Sequence, residues 1–258
     1  MVVRNNPKAL KTILRTEKLK KYFGEVKAVD YIDLNVNEGE FLSIIGPNGS
    51  GKTTLLNLIS NMIEPDEGKV FFQGRDVTKW SPSRLAKTGL VRSFQVVNLF
   101  ERLPVLENVK AAVIAGLGRT NRAFSSLNRD EEVSKRSIEL LKLFHLSEKS
   151  ENWARDVPHG DRKVLDVALC FALDPKIILL DEPTSGVGTT EKTHVMQRIE
   201  EAVRKKGLTA VIVEHDMDVV FSYSDKVVAM DRGKIIAEGK PKEVKDSKEV
   251  KKAIMGEL

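Results

Sequence analysis

The stretch from Phe41 to Thr54, FLSIIGPNGSGKTT, limits most strongly what this chain can fold into. Its apolar first half predicts a buried parallel strand, and the residues from Gly46 to Thr53 match the full Gly-x-x-x-x-Gly-Lys-Thr pattern of a phosphate-binding loop. Glycines let the backbone curl until successive N–H groups face inward, and the following helix adds its positive end to this nest. In such a loop Lys52 reaches the β- and γ-phosphates of a nucleotide and the Thr53 hydroxyl holds Mg²⁺. The alternative, an ordinary turn rich in small residues, explains neither the lysine nor the hydroxyl.

The composition is that of a globular protein with a substantial core, since 41% of the 258 residues are apolar and 31% are charged. No apolar run approaches the roughly 18 residues that span a bilayer, and the N-terminus is too charged for a secretory signal, so we expect a cytoplasmic protein. The single cysteine, Cys170, agrees with a reducing compartment. The net charge of +5 comes from residues 1–21, with seven basic and one acidic side chain, which favours a solvated edge over a nucleic-acid surface.

The order of the predicted elements indicates an α/β fold, a phosphate-loop NTPase core with an N-terminal antiparallel β-subdomain and an inserted helical subdomain. Alternating apolar residues predict two antiparallel strands over 12–23 and 26–36, and helices without βαβ alternation are predicted over 105–115 and 129–144. We predict a single domain over residues 1–258. Within it we predict a mainly antiparallel β-subdomain over 1–40, a nucleotide-binding core over 41–95 and 160–240, a helical subdomain over 96–159 and a helical tail over 241–258.

Two aromatic residues precede the phosphate loop, between the two antiparallel strands. An aromatic ring upstream of a nucleotide loop can stack on adenine, although a ring packed on a strand is equally ordinary. Phe23 is the better candidate for this contact and Tyr22 the weaker one.

Polar residues follow three predicted strands, at the edge of the sheet where ligands bind in open α/β folds. LVRSFQ ends in Gln95, KIILLDE ends in Asp181 and Glu182, and TAVIVEH ends in Glu214 and His215. An aspartate after four apolar residues can hold Mg²⁺, directly or through water, and Glu182 beside it is in the right class for a general base. The Gln95 amide can ligate the metal or orient water, and His215 can donate to the departing γ-phosphate. Each residue alone also fits a structural role, but the combination favours a catalytic site.

These motifs together resemble the ATP-binding subunits of ABC transporters over nearly the whole chain. The resemblance is carried by IIGPNGSGKTTLL as Walker A, VRSFQ before a helical insert, PHGDRK before a helix, ILLDEPTSG as Walker B, VIVEHDM, and GKIIAEGKPKEV. Within the family, the FQ-x5-Phe loop, the ENV-AA helix and EHDMDVV are most similar to subunits of branched-chain amino acid uptake systems, with urea-type relatives close behind.

The resemblance implies an ATPase with ATP and Mg²⁺ as cofactors, peripheral on the inner face of the cell membrane. It also implies three partners. These are transmembrane permease subunits, a second identical or paralogous cassette that forms a head-to-tail dimer with this one, and an extracytoplasmic solute-binding protein that interacts only indirectly. The implied metal ligands are Thr53, Gln95 and Asp181, and the implied catalytic residues are Glu182, His215 and Gln95. The implied nucleotide contacts are Phe23, Gly46, Pro47, Asn48, Gly49, Ser50, Gly51, Lys52, Thr53, Thr54, His159 and Gly160.

The signature segment departs from the family pattern. Where relatives read Leu-Ser-Gly-Gly-Gln or Leu-Ser-Tyr-Gly-Gln, this chain has Val157-Pro158-His159-Gly160-Asp161. Pro158 supplies neither a hydroxyl nor an N–H. Gly160 and the helix dipole remain and His159 can supply a donor, while Asp161 could cap the helix but adds an unhelpful negative charge. We therefore expect this segment to bind the partner's γ-phosphate more weakly, while ATP hydrolysis is retained. A second departure is Gly188, which stands where the family often has aspartate, so communication between the two sites is also in question.

Two other classes of function compete with transport. A cytoplasmic ABC ATPase acting on nucleic acid or ribosomes would suit the basic N-terminus, but the chain has neither a second cassette nor a long coiled-coil insert. A small-molecule phosphotransferase shares the phosphate loop, but it does not predict Gln95, Gly160 and His215 together.

Overall fold

The computed structural model describes residues 11–93, 99–119 and 130–255. The strands are β1 (Thr12–Phe23), β2 (Val26–Asn37), β3 (Phe41–Ile45), β4 (Glu67–Phe72), β5 (Arg75–Asp76), β6 (Leu90–Arg92), β7 (Ile177–Asp181), β8 (Thr209–Val213), β9 (Lys226–Asp231) and β10 (Lys234–Gly239). The helices are α1 (Lys52–Ile59), α2 (Pro82–Thr88), α3 (Val105–Gly116), α4 (Glu131–Leu143), α5 (His159–Phe171), α6 (Thr189–Lys206), α7 (Met217–Tyr223), α8 (Pro241–Asp246) and the single turn α9 (Lys248–Val250). Short 3-10 turns cover Ser147–Lys149 and Ala154–Asp156, and a π-helical turn covers Lys251–Met255.

The first sheet is antiparallel, in the order β2-β1-β4-β5. The β1–β2 pairing confirms the two predicted N-terminal strands. The predicted division is wrong in one respect, because β4 and β5 come from the segment 41–95 that was assigned to the core, yet β4 pairs with β1, with Leu14 opposite Phe72. The physical reason is that β1 has two hydrogen-bonding edges, and alternation along the chain predicts a strand without showing which edge it joins.

The second sheet forms the centre of the molecule, in the order β10-β9-β3-β8-β7-β6. The strands from β9 to β6 are parallel, and β10 closes one edge as an antiparallel hairpin with β9, where Lys234 pairs with Asp231. Every residue of β3, β7 and β8 is buried. Their alternate side chains enter two separate hydrophobic clusters, which shows that this sheet is covered on both faces.

One face of the parallel sheet carries helices and the other carries the antiparallel sheet. The helical cluster contains the apolar sides of α3, α4, α5 and α6, with Phe144 meeting Phe171 edge to face at a ring separation of 4.8 Å. The opposite cluster joins α1 to β1, β2 and β4. Asp130 caps α4, since its carboxylate accepts from the backbone N–H groups of Glu132 and Val133.

The parallel strands direct their carboxyl ends to one edge of the sheet. The turn between β3 and α1 lies at that edge, together with the residues that follow β7 and β8. None of the helices over residues 11–93, 99–119 and 130–255 has the length and apolar character of a membrane span.

Candidate active site

The turn between β3 and α1 has the backbone that the phosphate-loop pattern predicts. Gly51 has φ +103, and a Cβ at this position would lie 2.0 Å from the carbonyl oxygen of Ala28 on β2. Gly46 is equally restricted, because a Cβ there would lie 2.2 Å from the carbonyl oxygen of Met230. Only glycine fits these positions, so the loop is pressed against β2 and β9 and its N–H groups are left to surround an anion.

Lys52, the first residue of α1, is held inside the loop. Its ammonium donates hydrogen bonds to the carbonyl oxygens of Gly46 and Pro47, both at 2.9 Å. Burial lowers the pKa of Lys52, while Glu182 and Asp181 oppose this shift. The lysine therefore places a positive charge at the centre of the loop, within the field of two carboxylates.

A single cleft of about 330 Å³ brings together residues from four separate segments of the chain. Its lining contains nine of the predicted site residues: Phe23, Asn48, Gly49, Gly51, Lys52, Thr53, Thr54, Glu182 and His215. Val26 and Ala28 of β2 complete the wall. Gly46, Pro47 and Ser50 belong to the loop but not to the cleft lining. The segments are up to 192 positions apart in sequence, from Phe23 to His215, so only the fold brings them together.

Thr53 and Asp181 place two oxygen ligands side by side at the edge of this cleft. The Thr53 hydroxyl donates to Asp181 Oδ1 at 3.4 Å, and the Asp181 side chain is fully buried. The described residues contain no group of three or more acidic, histidine or cysteine side chains suited to a metal. One carboxylate and one hydroxyl suit Mg²⁺, which keeps several waters and takes its remaining ligands from phosphate oxygens. The residues present therefore fit Mg²⁺ delivered with a nucleotide.

Glu182 and His215 are in direct contact, as their strand-end positions suggested. His215 Nε2 donates to Glu182 Oε1 at 2.6 Å. Glu182 has φ +51, which is uncommon for a residue with a side chain, and its backbone N–H donates to the carbonyl oxygen of Val213 at 2.9 Å. The tight turn after β7 directs this carboxylate into the cleft toward the place that the loop provides for phosphate.

Glu214 is a buried carboxylate whose role sequence reasoning did not identify. Its Oε1 accepts from the Thr184 backbone N–H at 3.0 Å and from the Thr184 hydroxyl at 2.8 Å, and its Oε2 accepts from the His215 N–H at 3.2 Å. Burial raises the pKa of Glu214, and these hydrogen bonds oppose the shift. Glu214 thus ties the loop that carries Glu182 to the loop that carries His215.

Arg92, at the end of β6, is the second residue that sequence reasoning missed. Its Nη2 donates to Asp181 Oδ2 at 2.9 Å, and its Nη1 donates to Asn57 Oδ1 at 2.5 Å and to Ser60 Oγ at 3.1 Å. The only signal in the sequence was a charged residue directly after the apolar Leu90 and Val91 of this strand. A charge in such a strand requires a partner, but the sequence does not identify it.

The two aromatic candidates occupy different environments. Phe23 is 52% exposed and forms part of the cleft wall, whereas Tyr22 donates its hydroxyl to Asp30 Oδ1 at 2.6 Å, which together with burial raises the pKa of Tyr22 to about 12. Phe23 is therefore half exposed at the cleft, and the Tyr22 hydroxyl is engaged elsewhere on its sheet. The geometry favours Phe23 over Tyr22 as a stacking surface.

Two predicted site residues, His159 and Gly160, lie away from this cleft. Gln95 falls outside the described residues. His159 and Gly160 form the first turn of α5, where His159 packs against Gly186 in the loop after β7, and a Cβ at Gly160 would lie 2.2 Å from Glu191 Oε1. A residue that contacts the nucleotide of a second molecule must lie outside the cleft of its own chain, and His159 and Gly160 do.

Asp161 does not cap α5, contrary to the prediction. Pro158 occupies the N-cap position, and Asp161 lies in the first turn with its side chain largely buried. Asp161 Oδ1 accepts from Arg198 at 2.6 Å, and Lys149 pairs with Oδ2. These two cations lower the pKa of Asp161 against the effect of its burial. Its charge is therefore neutralised within the chain.

The fold and the cleft together define a nucleotide-binding protein of the phosphate-loop type, with acidic and histidine side chains next to the phosphate position. A protein-family comparison agrees and is more specific, because residues 29–185 match the model described as ABC transporter. The chain belongs to this family. It is an ATP-binding cassette that couples ATP hydrolysis to transport.

Relatives at the level of sequence and structure match nearly the whole chain. The "Probable branched-chain amino acid transport ATP-binding protein LivG" of Archaeoglobus fulgidus is 35% identical over 249 residues, which cover 95% of each protein. The crystal structure of the ADP conformation of an ATP-binding cassette of an ABC transporter has a TM-score of 0.81 at 33% identity, covering 95% of this chain and 99% of that one. A dimeric cassette structure in a post-hydrolysis state, bound to ADP and phosphate, has a TM-score of 0.73 at 29% identity, covering 89% and 99%.

Proposed function

We propose that this cassette binds and hydrolyses MgATP in the cleft at the phosphate loop and powers the import of branched-chain or other hydrophobic amino acids through separate transmembrane subunits. The single observation that carries the catalytic part is the convergence of nine predicted residues on one cleft. The substrate class rests on the relatives' names and on the sequence resemblance.

The phosphates of ATP would be held by the loop from Gly46 to Thr54. Backbone N–H groups and the α1 N-terminus supply a field suited to anions, and Lys52 would exchange its loop carbonyl partners for the β- and γ-phosphate oxygens. Thr53 and Asp181 would hold Mg²⁺ together with Gln95. When bound, Mg²⁺ neutralises charge that develops on the phosphate oxygens.

Glu182 would act as the general base for the attacking water. Its carboxylate lines the cleft opposite the loop and contacts His215 at 2.6 Å. Proton transfer requires the base to reach the water within hydrogen-bond distance, and the His215 contact limits where the carboxylate can point. His215 would in turn donate a hydrogen bond to the γ-phosphate as it leaves. Phe23 would stack on the adenine ring at the open end of the cleft.

A second cassette would complete the site. His159 and Gly160 at the start of α5 lie outside their own cleft, so they would meet the γ-phosphate held by the partner. Pro158 removes one hydroxyl donor from this contact, and the loss of one charge-assisted hydrogen bond is worth about 1.5–3 kcal/mol. We therefore expect a weaker nucleotide-dependent dimer than in a cassette with serine at this position, with hydrolysis retained.

The helical segment offers a surface for the permease subunits. Three large apolar side chains, Phe100, Leu103 and Trp153, are 40–61% exposed. Their backbones are connected, because Pro104 pairs with Trp153 and Leu103 accepts from the N–H of Ala154. Exposed apolar clusters of this kind commonly mark protein contacts. The cluster follows Gln95 in sequence, so permease contact and nucleotide state would be linked through residues 96–159.

The catalytic proposal is tested with the Glu182→Gln variant. Removal of the base should stop hydrolysis while ATP binding persists, so the purified variant should form an ATP-dependent dimer that light scattering detects. The wild type without ATP is the control. If the variant stays monomeric with ATP while the wild type hydrolyses ATP as a monomer, the shared-site mechanism is wrong. Phosphate that appears on an added metabolite rather than in solution would instead indicate a phosphotransferase.

The substrate proposal is tested after copurification with the membrane subunits. In vesicles that contain the complex and its solute-binding protein, leucine, isoleucine or valine should stimulate ATP hydrolysis, and a polar amino acid such as aspartate should not. Stimulation by urea alone would reassign the substrate and leave the ATPase proposal unchanged.

A further inference from the structure

We propose that Arg92 is a positioning residue for the metal carboxylate Asp181, and that it keeps one oxygen of Asp181 directed at the Mg²⁺ site by binding the other. This inference rests on the proposed Mg²⁺ site at Thr53 and Asp181. It concerns the geometry of the ligand rather than the chemistry of hydrolysis.

The two oxygens of Asp181 have different partners. Oδ1 faces the Thr53 hydroxyl at 3.4 Å, and Oδ2 accepts from Arg92 Nη2 at 2.9 Å. The Asp181 side chain is fully buried and that of Arg92 is 11% exposed. A buried carboxylate without a partner for Oδ2 would be free to rotate or would bear an uncompensated charge. The guanidinium prevents both, and it leaves Oδ1 on the cleft side.

The Arg92 side chain is itself fixed by the helix that follows the phosphate loop. Nη1 donates to Asn57 Oδ1 at 2.5 Å and to Ser60 Oγ at 3.1 Å, and both residues lie at the end of α1. Thr53 lies at the start of the same helix. The guanidinium therefore joins the helix that supplies one metal ligand to the strand that supplies the other, and sets the distance between them.

The planar fork of arginine is required for this arrangement. Nη1 and Nη2 point to two different elements, and a lysine ammonium on a flexible stem can serve Asp181 or Asn57 but lacks the rigid fork that holds both. Residues that orient metal ligands in this way commonly alter metal affinity 10- to 100-fold when they are replaced. Arg92 also lies three residues before Gln95, so the same strand leads to a third proposed ligand.

The test measures metal binding directly, with Mn²⁺ as the probe. Full-length protein is saturated with a non-hydrolysable ATP analogue in the absence of divalent ions, and Mn²⁺ is then titrated in while the free ion is followed by electron paramagnetic resonance. We expect Arg92→Leu to raise the dissociation constant for Mn²⁺ by about 10- to 100-fold. Arg92→Lys should recover part of this loss, and Asn57→Ala, which keeps the charge but releases Nη1, should give a smaller increase. Binding of the analogue without metal should change less than about twofold.

Arg204→Leu is the matched control. Arg204 forms a two-pronged pair with Asp225, at 2.7 and 2.8 Å, and Asp225 accepts from the N–H of Phe41 at the opposite end of β3. This arginine–aspartate pair is more exposed than Arg92–Asp181, with side chains 38% and 44% exposed, and it lies far from the cleft. Its loss should leave Mn²⁺ affinity unchanged and lower stability only slightly. Should Arg92→Leu fail to fold, Arg92→Lys and Asn57→Ala still decide the question.

The outcomes separate the two proposals. Nucleotide-dependent Mn²⁺ binding in the wild type with equal or tighter binding in the Arg92 and Asn57 variants overturns the positioning role and leaves the metal site intact. No nucleotide-dependent Mn²⁺ binding in the wild type overturns the metal site, and the inference with it.

Discussion

Replacement of Glu214 tests whether the two catalytic loops are held together by one buried carboxylate. Glu214→Ala leaves three donors without an acceptor: the N–H and hydroxyl of Thr184 and the N–H of His215. The hydroxyl can rotate to another partner, but the two backbone N–H groups cannot. At about 1–3 kcal/mol for each unsatisfied donor, the two N–H groups correspond to roughly 2–6 kcal/mol of lost unfolding free energy, with the larger share from the buried Thr184 N–H. This is a large fraction of the roughly 5–15 kcal/mol that stabilises a typical domain.

Glu214→Gln separates the hydrogen bonds from the charge. Its amide oxygen keeps both Thr184 contacts and only the His215 contact is lost, so we expect a loss of about 1 kcal/mol near neutral pH. Burial raises the pKa of Glu214 above its ordinary value of 4.5, so protonation favours the folded state. That contribution is complete below about pH 4.5 and is lost as the pH rises through the raised folded value. The unfolding free energy of Glu214→Gln should therefore increase relative to that of the wild type as the pH rises.

The assay is urea unfolding at 25 °C, followed by circular dichroism and by tryptophan fluorescence, at pH 5 and pH 8. Equal stabilities of Glu214→Ala and Glu214→Gln, or an alanine variant within about 0.5 kcal/mol of the wild type, would refute the interpretation of Glu214 as the tie between the loops.

Three further predictions use other parts of the molecule. Gly51→Ala should abolish the binding of a fluorescent nucleotide, because its Cβ would lie 2.0 Å from a carbonyl oxygen of β2. In Gly49→Ala the new Cβ would meet nothing within 4 Å, so this variant should lose only the roughly 1–2 kcal/mol that a left-handed backbone costs a residue with a side chain. Equal nucleotide binding by the two variants would contradict this prediction. Phe144→Ala, at a fully buried position in the helical cluster, should lower the unfolding free energy by about 3–5 kcal/mol in urea, and a change below 1 kcal/mol would show that the site collapses to fill the space. Burial raises the pKa of Asp166 to about 6 from an ordinary 3.8, so the stability that its protonated form contributes is lost as the pH rises through 6. Asp166→Asn should therefore raise the unfolding free energy by about 1–3 kcal/mol at pH 8 and change it little at pH 4. Equal effects at both pH values would exclude the charge as the cause.

The parts of the site that could be predicted from sequence are those that local chemistry specifies. A glycine-rich turn with Lys52 and Thr53 can serve few purposes, and acidic residues after a fully apolar strand must lie at its carboxyl end. Parallel strands all present that end at the same edge, so strand direction placed Glu182 and His215 at one edge, and their contact also depends on β7 and β8 being neighbours.

The rest depended on neighbours that are distant in sequence. Arg92 and Glu214 look like isolated charges in apolar strands until Asp181 and Thr184 are placed beside them. The pairing of β4 with β1 has the same origin, because hydrogen-bonding edges carry no residue-specific signal. Motif patterns describe residues that contact a ligand. Arg92 and Glu214 instead stabilise the positions of other residues, so no motif pattern includes them.

At the start of α5, the acidic residue of the divergent signature is paired within the chain. The negative charge of Asp161 would oppose a phosphate at the helix N-terminus, but Arg198 and Lys149 bind both of its oxygens, so the helix keeps its positive end. Two residues further on, the buried Lys163 donates to Ser185 Oγ at 3.0 Å, in the loop that follows Glu182. A hydrogen bond from a charged donor is stronger than one between neutral groups, because the ammonium interacts with the whole hydroxyl dipole. The first turns of α5 are thus connected to the catalytic loop within a single chain, by a contact that does not involve Gly188. If the proposed contact between α5 and a partner's phosphate forms, the Lys163–Ser185 hydrogen bond is a direct connection from α5 to the loop next to Glu182.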